Sequence, residues 1–146
     1  MAPDEARTED VRAWLRKASL DLRAAEHETL TAEASLWGDV VFHAQQAAEK
    51  SLKAFLAWHD VAFRKTHNLD ELGRICLRLD SSLQTVVERA VPLTEYAWKF
   101  RYPGEPDEPS REEAEEALRI AREVFEAVAK RLPEDLRPGI KAARTN

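Results

Sequence analysis

The chain is 146 residues long, enough for one domain with one hydrophobic core. Hydrophobic residues make up 44% and charged residues 34%; that balance describes a globular protein with a solvated surface, and no apolar run nears the ~18 residues of a membrane span. A formal charge of −5 speaks against broad electrostatic coating of nucleic acid but leaves room for a local basic patch.

The opening MAPDEARTED is polar and acidic, unlike a secretory leader, so a cytoplasmic location is expected. Thr8 is the predicted N-cap of a first helix, with Glu9 and Asp10 in the turn where the helix dipole favours acids. Val11, Trp14, Leu15, Ala18, Leu22 and Ala25 then recur at helical spacing, which predicts an amphipathic helix to Leu30.

Leu36 to Trp58 is the segment richest in helical apolar pattern. At ~100° per residue, Trp37, Val41, Ala44, Ala48, Leu52 and Phe55 fall in one arc. Val40, Ala47, Ala54 and Trp58 widen it to about half the circumference, the signature of a central helix with neighbours on two sides. Opposite run Asp39, His43, Gln46, Lys50 and Lys53, expected as a narrow polar stripe facing water. Residues 59–67 have no helical period and read as a loop.

Asn68, with Glu71 three residues on, predicts a capping box for a short helix whose apolar face is Leu69, Leu72, Ile75, Cys76 and Leu79. The only cysteine is Cys76, which excludes an internal disulfide framework and a cysteine-based zinc site; on an apolar face it reads as an inert core thiol. Leu83, Val86, Val87 and Ala90 start a fourth helix. Pro92 must kink or break it, because the ring clashes with the carbonyl of Glu88. After the loop YPGEPDEPS at 102–110, Ser110 caps the last helix, with Glu113 three residues on. Its apolar stripe is Ala114, Ala117, Leu118, Ala121, Val124, Phe125 and Val128, and Pro133 ends it. The expected fold is all-α: an antiparallel bundle of four long helices and one short helix over residues 8–132, followed by a frayed polar tail at 133–146.

Several chemistries are excluded by spacing. No His has a Glu three residues before it, so the di-iron bundle pattern is absent. There is no HExxH, Walker A or GxGxxG. Asp39 and His43 share a helix face, but two ligands fall short of a metal site; no metal and no cofactor is expected.

The passage from Phe42 to Ile75, FHAQQAAEKSLKAFLAWHDVAFRKTHNLDELGRI, followed by FRYPGE from Phe100 to Glu105, resembles the HEPN family, the "higher eukaryotes and prokaryotes nucleotide-binding" domain. Its signatures are an A-x-x-D-L element at Ala18 to Leu22, QQAAEKxLKA at Gln45 to Ala54, H-x-L at His67 to Leu69, and RYP at Arg101 to Pro103. The resemblance implies an antiparallel bundle of about five helices, a homodimer, and work beside a minimal nucleotidyltransferase in a two-component, toxin–antitoxin-like system. Many members are metal-independent ribonucleases with an R-x4–6-H motif, in which Arg binds the scissile phosphate and His moves protons. No R-x4–6-H occurs here: Arg23 to His27 has three intervening residues and Arg64 to His67 has two. The chain is therefore similar to the branch in which binding, not hydrolysis, is the inferred role, and no catalytic residue is assigned.

A candidate nucleotide or phosphate site gathers Lys50, Lys53, Arg64, Lys65, His67, Arg101 and Tyr102. From Lys50 to His67 four cations face one acid, Asp60, although basic groups near a helix C-terminus also serve its last carbonyls. His67 either anchors the turn before Asn68 or meets a phosphate. Gln45 and Glu49 read as a structural polar network, with Glu49 paired to Lys53 four residues on. Arg101 and Tyr102 either hold the loop through Glu105 or Asp107, or touch a nucleotide. Residues 102–117 carry seven acids and one Arg, a run that suits a basic partner or a neighbouring protomer, or is plain solvated surface. Trp37 and Trp58 are candidates for a dimer interface. Three functions remain open: a nucleotide-binding module, a ribonuclease toxin with a degenerate site (RNA as ligand), and a pure sequestering subunit.

Overall fold

The computed structural model describes residues 3–31, 36–104 and 108–137. Five α-helices follow one another: α1 (Pro3–Thr31), α2 (Trp37–Trp58), α3 (Leu69–Leu79), α4 (Gln84–Ala90) and α5 (Arg111–Lys130). Short 3₁₀ segments lie at Ser81–Leu83, Val91–Ala97 and Glu134–Leu136, and no strand occurs among the described residues.

The first helix begins a turn earlier than Thr8. Proline is pre-organised for the first helical position, and Asp4 and Glu5 supply first-turn acids. Thr8 is not a cap; its hydroxyl donates to the Asp4 carbonyl at 2.8 Å, within the helix. Asn68 does cap α3, its Oδ1 accepting from the amides of Asp70 and Glu71. The box is not closed, because the Glu71 carboxylate turns away to Arg64. Ser110 caps α5 by accepting from the Glu113 amide at 3.0 Å. Pro92 ends the α geometry of α4 after seven residues, and the chain goes on as 3₁₀ to Ala97.

Helix α2 is the hub, packed by α1, α3, α5 and the Val91–Ala97 segment. Sixteen of its 22 residues are buried, so it has no solvent face of any width. Contacts of Arg7 with Trp58, Trp14 with Lys53, Asp21 with Lys50 and Glu28 with His43 show α1 running antiparallel beside it. Likewise Glu26–Arg122 and Arg12–Asp135 set α5 antiparallel to α1. α3, α4 and the 3₁₀ segment carry the chain back from the end of α2 towards its start. Where α3 meets α4, Gly73 lets the helices touch: a Cβ there would overlap a methyl of Val87.

The chain does not fray at Pro133. Leu136 is buried in the core and Asp135 pairs with Arg12, so the fold runs on to the last described residue of this segment, Arg137. Residues 138–146 of the expected tail lie outside the described residues, as do Glu105 and Asp107.

Candidate functional site

The stripe expected to face water instead lies along the flank of the α1–α2 contact. His43 Nδ1 meets Asp21 Oδ1 at 2.9 Å, and its Nε2 faces Glu28 at 3.4 Å. Lys50 donates to the other oxygen of Asp21 at 2.7 Å. An imidazole with carboxylates at both nitrogens is favoured as the cation, and the Asp21 hydrogen bond holds the pKa of His43 above its ordinary value despite burial. Glu28 is pushed up chiefly by burial; His43 opposes this, and nearby Asp39 adds to it. Its Oε2 is buried with no hydrogen-bond partner.

A second cluster is built on Gln45, Glu49 and Lys53, along the same stretch of α2. Glu49 is 4% exposed and accepts from Lys53 at 2.9 Å. Its other oxygen takes Gln45 Nε2 at 3.2 Å and His67 Nδ1 at 2.7 Å. Gln45 also donates to the His67 carbonyl at 3.1 Å, fixing backbone as well as ring. The Lys53 ammonium sits 5.3 Å from the Trp14 ring and 5.7 Å from Phe63, so its charge is shared between a carboxylate and two aromatic faces. A carboxylate only accepts, so Nδ1 of His67 is the donor. Its side chain is 63% exposed and its Nε2 stays available to solvent.

The loop that carries His67 is held at both ends. Val61 N donates to Leu56 O as α2 closes, with Asp60 in the left-handed region at φ 55°. Leu69 N donates to Thr94 Oγ1 at the other end. Arg64 grips Glu71 with two hydrogen bonds of 2.7 and 2.8 Å, while Lys65 is exposed and meets no carboxylate among the described residues. Arg101 pairs with Asp39 at 3.0 Å and stacks 3.9 Å from the Phe42 ring; Tyr102 is exposed.

The seven candidate residues are therefore not one patch. Arg101 is tied to Asp39, and His67 to Glu49; ten residues of helix separate the two anchors, about 15 Å. Of the cations, Lys50, Lys53, Arg64 and Arg101 already face carboxylates. The expected dimer tryptophans also move: Trp37 is 6% exposed and packs in the core, and Trp58 lies under Arg7, whereas Trp98 is the exposed one. Asp21 and Glu28 on α1 were missed as partners of the α2 stripe. Their only signal is a pair of acids seven residues apart on the flank of α1. Among the described residues no group of three His, Cys, Asp or Glu side chains is arranged to hold a metal ion, and the Cys76 thiol is buried, with its pKa pushed up to about 12.

The family profile described as the HEPN domain matches residues 11–132. This chain belongs to the HEPN family. The fold agrees: an archaeal HEPN homologue of known crystal structure superposes with a TM-score of 0.66 at 22% identity, covering 83% of this chain and 96% of the other. No curated protein matches the sequence.

Proposed function

We propose that this HEPN domain is a nucleotide-binding subunit, homodimeric and cytoplasmic, that works beside a minimal nucleotidyltransferase in a two-component, toxin–antitoxin-like system. The observation that carries the binding reading is His67. A buried carboxylate orients an exposed imidazole on a doubly anchored loop, two residues after Lys65, which meets no carboxylate among the described residues. That is how a protein presents a polar group to a ligand. The charges of Lys50, Lys53, Arg64 and Arg101 are already compensated by carboxylates, so they contribute less; Tyr102 offers a separate aromatic contact.

Calorimetric titration with a nucleoside triphosphate tests this. His67→Ala and Lys65→Ala should each weaken binding about tenfold, the scale of one charge-assisted hydrogen bond. Titrations unchanged by either variant remove the loop from the site. A second reading, the metal-independent ribonuclease, is favoured by the same dyad: with Nδ1 donating to Glu49, a neutral ring offers Nε2 as a base. Cleavage of total RNA in chelator that disappears in His67→Ala would establish it. No nucleotide binding, together with co-purification of the nucleotidyltransferase, would leave the sequestering subunit.

A further inference from the structure

The side of α1 turned away from the core changes character along its length. Val11, Leu15, Ala18, Leu22 and Ala25 are buried. At ~100° per residue the opposite side begins with Glu5 and Glu9 and goes on through Arg16, Leu20, Arg23 and His27, all exposed. Lys17 and Leu30 stand at its edges; Leu20 is 43% and Leu30 84% exposed. Cations nearby are engaged, Arg12 by Asp135 and Arg122 of α5 by Glu26. Arg16, Lys17 and Arg23 meet no carboxylate among the described residues. Between Leu20 and Leu30 a shallow hollow opens at Ala24, whose short side chain leaves room for an incoming one. Glu26 lines its rim, with its charge met by Arg122.

Uncompensated cations beside bare leucines select among ligands. A nucleic acid would use the cations and leave the leucines in water, and no aromatic side chain is exposed on α1 for a base to stack on. An anionic bilayer is a plane: lying along α1 it would also meet Glu9 and Glu5, about 10 and 16 Å from Arg16 on the same side. Arg16 to Leu30 spans about 21 Å, four turns of helix. A polypeptide segment of that length covers the leucines, brings carboxylates to the cations and stops short of the acids. In a helical segment, residues three and four apart supply the apolar stripe, and one of its side chains fills the hollow at Ala24.

We propose that this stretch of α1, from Arg16 to Leu30, docks an acidic amphipathic helix of a different protein. Carboxylates on the flanks of that helix pair with Arg16, Lys17 and Arg23, and its apolar stripe lies on Leu20, Ala24 and Leu30. The contact uses no residue of the His67 loop and needs no second copy of this chain.

Fluorescence anisotropy with two labelled four-turn peptides is the test. Both carry leucines at every third or fourth position; glutamates flank that stripe in one and lysines in the other. Wild type should bind the glutamate peptide at least tenfold more tightly than the lysine peptide, and added salt should weaken that binding. Arg16→Glu/Arg23→Glu should bind the glutamate peptide about a hundredfold more weakly and prefer the lysine peptide, because like charges then meet. Leu20→Ser should weaken either complex about tenfold through lost apolar burial. All three positions are exposed, and circular dichroism confirms folding. Absence of glutamate-peptide binding, or equal affinity for the two peptides, overturns the proposal. Polyuridylate or phosphatidylserine vesicles that bind wild type more tightly than the glutamate peptide does, and release Arg16→Glu/Arg23→Glu, would assign the face to nucleic acid or lipid instead. Self-association lost in the same variant would assign it to a second copy. Nucleotide titrations of these variants should match wild type, so this contact and the His67 site fail separately.

Discussion

His43 and His67 make the same chemical pair, an imidazole Nδ1 on a carboxylate, at 2.9 and 2.7 Å. Their surroundings are opposite. His43 has a buried-side partner for each nitrogen and is 27% exposed; its acids come from α1, so the ring is a rivet between two helices. His67 has its acid on α2 beneath it and one nitrogen left in solvent. Burial of the carboxylate, not of the histidine, is what turns such a pair outward. The comparison assigns stability to the first histidine and availability to the second, and each assignment can be broken by substitution.

The largest effect is expected at the carboxylate under His67. Glu49→Ala leaves the Lys53 ammonium buried without its partner, and losing one member of a buried pair costs about 3–5 kcal/mol. Urea unfolding should show it as a fall in midpoint with an unchanged slope. Next comes Asp21→Ala, which strips Lys50 and His43 of one acceptor each in a half-buried seam. About 1–3 kcal/mol is expected there. Should Asp21→Ala cost more than Glu49→Ala, the order of burial argued here is wrong.

A third prediction concerns pH. The pKa of His43 is raised in the folded protein above the 6.5 of a free imidazole. Its stabilisation is therefore complete below 6.5 and is lost as pH rises through the folded value. Glu28, raised above 4.5 by burial, acts with the same sign, disfavouring the fold as it ionises. Thermal unfolding from pH 5 to 9 should show this decline in wild type, and His43→Gln should flatten the part above pH 6.5. A decline of equal size in the variant would take His43 out of the seam's electrostatics.

Much of the fold is legible in the chain because its signals are local. The caps at Asn68 and Ser110, the break at Pro92 and the apolar arc of α2 depend on residues within a turn or two of one another. What misleads is the polar stripe of α2. A helical wheel separates apolar from polar, but it does not distinguish water from the polar flank of a neighbouring helix. His43 and Lys50 find their acids 22 and 29 residues away on α1, so a stripe that looks solvated is a seam. The same blindness makes Arg101 and His67 look like parts of one basic patch: charge counting ignores that Lys50, Lys53, Arg64 and Arg101 each meet a carboxylate. Thr8 was misplaced for a simpler reason, since a capping residue inside a run of helix formers satisfies its hydroxyl on the preceding turn.

The smallest effect on stability, and the sharpest on function, is expected at His67. Removing its side chain takes one donor from Glu49, yet Lys53 and Gln45 still hold that carboxylate, and the backbone anchor from Gln45 to the His67 carbonyl is untouched. His67→Ala should therefore cost about 0.5–1 kcal/mol, the lower end of one hydrogen bond, because two donors to the carboxylate remain. If nucleotide binding falls in His67→Ala while the urea midpoint moves no further than this, the ring acts on the ligand. If the midpoint falls well beyond it, His67 is a second rivet, and the contrast with His43 disappears.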